Sequence, residues 1–111
     1  MYAQKAFDEA MMLYQNKAIV FRGIALSLLG PANWSEAKLA LDTMLASPLK
    51  DSKLNNPEDH YPTLAAFWRC WIATQENDGH MVCQWVGHVK AQSPEGATKK
   101  AFIEQYASWC P

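Results

Sequence analysis

The side chains best suited to chemistry lie between residues 70 and 88: Cys70, His80, Cys83 and His88. On a helix His80 and Cys83 share a side, and His80, Gln84 and His88 stand one above another. A structural zinc asks for four ligands in paired spacings, and only Cys70 is at hand to join these residues. The His80–Cys83 couple has no third group to orient the imidazole, so it makes a poor nucleophile and base. Acid–base work needs a fixed carboxyl with a shifted pKa. Asp8-Glu9 point apart on a helix, and Glu58-Asp59 fall in a polar loop. The five glycines sit mainly at turns or helix contacts, not in a phosphate-cradling loop. These residues point to binding, not to an enzyme, and no metal or cofactor is expected.

The 111 residues are half apolar and carry 10 basic and 11 acidic side chains, a formal net charge of −1. That length buries a core as one domain, 1–111, without metals or disulfides. Lys99-Lys100 is the densest positive charge, too little for a nucleic-acid footprint, which argues against a helix-turn-helix DNA binder. Cys70, Cys83 and Cys110 are odd in number and share no recurrent spacing, which fits a reducing compartment. Cys70 and Cys83 read as buried, inert thiols and Cys110 as an exposed one. The first ten residues lack an apolar signal core. The longest apolar run, 18–29, is interrupted by Arg22 and too short for a bilayer. The expectation is a soluble, cytoplasmic chain.

The chain is organised around residues 62–77. At 3.6 residues per turn Leu64, Phe67, Trp68, Trp71 and Ile72 share a broad face, while Ala66, Cys70 and Ala73 form a strip of small side chains. Small strips let a second helix come close; the aromatic face needs another cover. Each buried ring is worth roughly 1.5–3 kcal/mol or more, so something must lie on that face. Residues 1–29 read as helix, with a break admissible near Gln15-Asn16. Ala3, Phe7, Ala10, Met11 and Tyr14 line one side of its first half. In its second half Val20, Gly23 and Ser27 form a small strip, and Phe21, Ile24 and Leu28 a bulky one. Gly30 and Pro31 end it. Asn33 and Glu36 have capping-box spacing, and Trp34, Ala37, Leu41, Met44 and Leu45 follow as a clean stripe. Ser47-Pro48 stops that helix, and 49–61 is a polar loop. Residues 80–91 favour a helix, although Val82, Val86 and Val89 leave a strand as the alternative. Ser93-Pro94-Glu95 signals the start of a last helix. The fold class is all-α: five helices, arranged as hairpins at 16–46 and 62–91 plus a closing helix.

The first hairpin carries Gly23-Ile24-Ala25, Leu28-Leu29-Gly30, Trp34-x-Glu36-Ala37, Leu41, Met44-Leu45 and Pro48. The second carries Cys70, Ala73, Gly79, Val82, Val86, Val89 and Pro94 without the Glu-Ala pair. This pattern resembles the tetratricopeptide repeat. Among small proteins of that build the chain resembles the tetratricopeptide-like chaperones of type III secretion needle subunits. That likeness rests on residues 24–29, Trp34 to Ala37, Tyr61-Pro62-x-Leu64, residues 91–94 and residues 102–105. The resemblance implies a concave groove that holds an amphipathic C-terminal helix of the needle subunit and prevents polymerisation, with a small co-chaperone alongside. Phe67, Trp68, Trp71 and Leu26 would then contact the guest, and Arg22 and Arg69 would orient it by pairing with its carboxylates. The alternative is a self-associating regulatory or adaptor protein, a homodimer that buries the same surface against itself.

Overall fold

The computed structural model describes residues 2–46 and 60–110, the side chains of residues 2–13 and 16 excepted. Five α-helices and no strand occur among the described residues: α1 (Tyr2–Leu29), α2 (Trp34–Leu45), α3 (Tyr61–Gln75), α4 (Gly79–Gln92) and α5 (Ala97–Tyr106). The all-α expectation therefore holds, and residues 80–91 are helix. The expected stop at Ser47-Pro48 and most of the 49–61 loop lie outside the described residues, as do the side chains expected on the first half of α1.

α1 runs unbroken through Gln15-Asn16 and is about 42 Å long at 1.5 Å per residue. Gly30 ends it at φ 123°, a conformation glycine adopts without strain, and Pro31 cannot continue the helix. A 3₁₀ turn over Pro31–Asn33 follows, and the expected capping box does not form, because the Asn33 side chain makes no cap bond. Trp34 fastens the turn instead. Its indole N–H donates to the Ser27 carbonyl at 3.1 Å, one of the acceptors left open in the last turn of α1.

The small strip on α1 does what its composition suggests. Val20, Gly23 and Ser27 are buried under α2. A Cβ on Gly23 would stand 2.7 Å from Leu41 Cδ2, so glycine sets the approach of the two helices. The Ser27 hydroxyl, buried in that contact, donates to the Gly23 carbonyl at 2.8 Å.

His60 caps α3 by accepting from the Thr63 amide at 3.3 Å, with Pro62 in the first turn. The Thr63 hydroxyl donates to Ser93 Oγ at 2.7 Å and ties the start of α3 to the end of α4. Asn77 at φ 56° turns the chain, and Asp78 caps α4 through the Met81 amide. α5 begins at Ala97, later than the Ser93-Pro94-Glu95 signal placed it. Ser93 is already engaged as the end of α4, and the Lys99 ammonium donates to the Lys90 and Ser93 carbonyls and to Glu95.

Two buried clusters result. Val20, Ala37, Leu41, Met44, Ala65 and Ile72 unite α1, α2 and α3. Ala66, Cys70, Ala73, Val82, Val86, Val89, Phe102 and Tyr106 unite α3, α4 and α5. α3 belongs to both, and Leu45 and Trp71 touch both.

Gly23→Ala should destabilise the chain by about 1 kcal/mol in urea unfolding, overpacking against Leu41 outweighing the better helix propensity of alanine. Gly87→Ala, with nothing within 4 Å of the added methyl, should stabilise by about 0.5–1 kcal/mol. Equal effects of opposite sign to these would show that Gly23 does not set the α1–α2 contact.

Candidate helix-binding surface

Three stripes run along α3, and only two are closed. Ala65 and Ile72 face one cluster; Ala66, Cys70 and Ala73 face the other. Between them Leu64, Phe67, Trp68 and Trp71 stay half-buried at every position. Phe67 lies edge-on to Phe102 and Tyr106 of α5, with ring centroids 5.9 and 5.2 Å away. Trp68 sits between Phe67 and Trp71 at 5.9 and 5.4 Å. Trp71 meets Trp34 of α2 at 6.3 Å. α2 and α5 do not meet one another among the described residues, so α3 forms the floor between them.

The dimensions of the molecule explain the gap. The described residues span 49 × 31 × 18 Å between Cα atoms, and 18 Å is about two packed helix layers and no more. A helix that is apolar nearly all round must then show one side to water.

The residues expected to contact a guest are partly assembled by this arrangement. Phe67, Trp68 and Trp71 stand in one row, and Leu26 packs against the same cluster as the two tryptophans. Arg69 does not face that row. Its Nε donates to Asp42 Oδ1 at 2.9 Å, its guanidinium lies 5.5 Å from the Trp85 ring, and its side chain is only 15% exposed. It joins α2, α3 and α4. Arg22 stands 3.6 Å from Glu36 with both side chains mostly in water, a pair weak enough to be exchanged. The residues expected to orient a guest therefore separate into a fixed strut and a loosely paired, exposed cation.

Cys83 departs from its expected role as a buried thiol. It forms a disulfide with Cys110, Cα to Cα 5.5 Å, which fastens the chain end to α4. The odd count concealed this pairing: Cys70 is the thiol left over, fully buried. His80, expected beside Cys83, is exposed and contacts Gln84 at 3.0 Å across one helical turn. Among the described residues no three His, Cys, Asp or Glu side chains are grouped to hold a metal, and no helix is long and apolar enough to cross a membrane.

A broad open depression of about 530 Å³ lies over Glu95, Gly96, Ala97, Lys99, Lys100, Ile103 and Glu104. Its most buried cation, Lys99, already serves three oxygens. A second apolar surface lies on α1, where the bulky strip Phe21, Ile24 and Leu28 is expected. Tyr14, Phe21, Leu28 and Leu29 are exposed on α1, although Phe21 and Leu28 had been grouped there with Ile24, which is half-buried. The signal was present: these positions lie opposite the small strip that α2 covers. Compared with protein-family models, curated proteins and solved structures, the chain matches none of them.

Beneath the aromatic row, burial pushes the Cys70 thiol up to about 12 from its ordinary 9. Burial, and secondarily the neighbouring Cys70, raises the Tyr106 phenol as well, and its hydroxyl has no partner among the described residues. In the unfolded chain Cys70 ionises near 9, whereas the folded chain holds that proton to about 12. The folded state thus binds more protons across that window, and stability falls as pH rises through it. Urea midpoints measured at pH 7 and pH 10 should show this loss, and Cys70→Ala with Tyr106→Phe should reduce it. Tyr106→Phe alone should be neutral or stabilising by about 1 kcal/mol, since it removes an unsatisfied buried hydroxyl. An unchanged pH dependence in the double variant would contradict the assignment.

Proposed function

We propose that the chain is a chaperone-type binding protein that holds one amphipathic helix of a secreted, needle-type subunit and keeps that subunit from polymerising. The observation that carries this reading is the half-open row Leu64, Phe67, Trp68 and Trp71 on the floor between α2 and α5. A guest helix presenting apolar side chains at i, i+3, i+4 and i+7 fits such a row. Arg22 can leave Glu36 for a guest carboxylate, while Arg69 keeps the floor in shape through Asp42 and Trp85. The tetratricopeptide likeness of the two hairpins supports the same reading and adds a small co-chaperone as a further partner. The reading places the chain in the cytoplasm, where the guest is made. In that compartment Cys83 and Cys110 would stand as neighbouring thiols.

Tagged chain isolated from its native source should carry a small secreted subunit and delay its polymerisation. Trp68→Glu should weaken that complex at least about 30-fold, as for a central hot-spot ring, with an unchanged circular-dichroism spectrum. Leu28→Glu, on the far side of α1, should retain the guest. Normal binding by a folded Trp68→Glu variant would remove the row as the binding site.

A further inference from the structure

The outer side of α1 has a pattern of its own. Tyr14, Ala18, Phe21, Ala25 and Leu28 recur at intervals of four, three, four and three, and all five are exposed. This is the spacing of a helix that pairs along a seam. Large side chains occupy one seam position (Tyr14, Phe21, Leu28), and alanines occupy the other (Ala18, Ala25).

That alternation decides the direction of pairing. In a parallel pair like positions face each other, so crowded ring layers would alternate with empty alanine layers. In an antiparallel pair centred between Ala18 and Phe21, the four layers from Tyr14 to Ala25 each set a large side chain against an alanine and fill evenly, and Leu28 falls opposite position 11. One helix supplies both halves of the fit, as a two-fold interface requires. The surface already holds a matching hollow: Tyr14, Lys17, Ala18 and Phe21 enclose a depression of about 190 Å³. Those four residues, at i, i+3, i+4 and i+7, are the outline of a hole that receives a knob.

We propose that a second copy of this chain covers the face, α1 against α1 and antiparallel, with Ala18 opposite Phe21 and Ala25 opposite Tyr14 of the other copy. Charge selects this register. It sets Lys17 beside Ile24 and Arg22 beside Gln15. Shifted one way, Ala18 faces Tyr14 and Lys17 meets Lys17 of the other copy. Shifted the other way, Ala25 faces Phe21 and Arg22 meets Arg22. Like charges at such flanking positions oppose pairing. The area is sufficient. Tyr14, Phe21, Leu28 and Leu29 are 70, 49, 64 and 70% exposed. At ~200 Å² per large side chain that is roughly 500 Å² a copy, and two copies reach the ~1,000 Å² of a specific interface.

Sedimentation equilibrium on the full chain should give a dimer. Ala25→Glu should raise its dissociation constant at least about 30-fold and leave the helix content unchanged, because Ala25 touches no core. A mixture of the Tyr14→Cys and Ala25→Cys variants should cross-link on oxidation, whereas Ala25→Cys alone should not. The background is quiet, since Cys70 is buried and Cys83 is bound to Cys110. A chain that stays monomeric at roughly 100 µM, well above the dissociation constant of a specific interface, overturns the proposal. Self-cross-linking of Ala25→Cys, which needs parallel helices, overturns it too. Guest binding by the α3 row does not depend on either result.

Discussion

α3 walls two separate cores at once, and every other feature of the molecule follows from how fifteen residues manage it. One stripe, Ala65 and Ile72, closes the cluster shared with α1 and α2; another, Ala66, Cys70 and Ala73, closes the cluster shared with α4 and α5. Four of these five side chains are small, so helices come close on both sides. The large rings are left to the stripe between. Phe67 and Trp71 reach outward to Phe102 and Trp34 and join the two halves, but they do not close the surface. The body spans 18 Å between Cα atoms in its thinnest direction, about two helix layers, so no third layer stands over it.

Polar chemistry in the molecule serves this arrangement. Arg69 braces α2 and α4 against α3, Thr63 and Ser93 tie the two helix ends, and Lys99 gathers the carbonyls where α4 turns into α5. Cys83–Cys110 fastens the 3₁₀ turn Ala107–Trp109 that follows α5, whose Trp109 ring lies 3.8 Å from where a Cβ on Gly79 would stand. These groups hold the frame; what the frame offers outward is apolar. It does so twice, as a half-buried row on α3 and an exposed seam on α1. In the proposed reading the row takes an incoming helix and the seam takes another copy of the chain.

Much of this was legible because helical periodicity is a strong signal. The small strips at Gly23 and Ser27, and at Ala66, Cys70 and Ala73, mark helix contacts by size alone, and both contacts exist. Local signals were weaker where a distant partner competes for the same group. Asn33 makes no cap because Trp34 reaches back to Ser27 and a 3₁₀ turn takes the corner. Ser93 does not start α5 because it ends α4. Arg69 reads as a cation that orients a guest, and nothing local announces Asp42, 27 residues away, as its partner. The Cys83–Cys110 bridge was hidden by counting: an odd number of cysteines still leaves room for one pair once the α4–α5 turn brings position 110 back beside 83.

Hydroxyl-radical footprinting, read residue by residue on the free chain and on its complex, tests most directly whether the α3 row is an open surface awaiting a helix. Trp68 and Trp71 should be modified in the free chain, while Phe102 and Tyr106, sealed in the core, are spared. The same two tryptophans should become protected when the guest is bound. Protection of Trp68 and Trp71 equal to that of Phe102 in the free chain would mean that the row is already closed, and the helix-binding reading would fall.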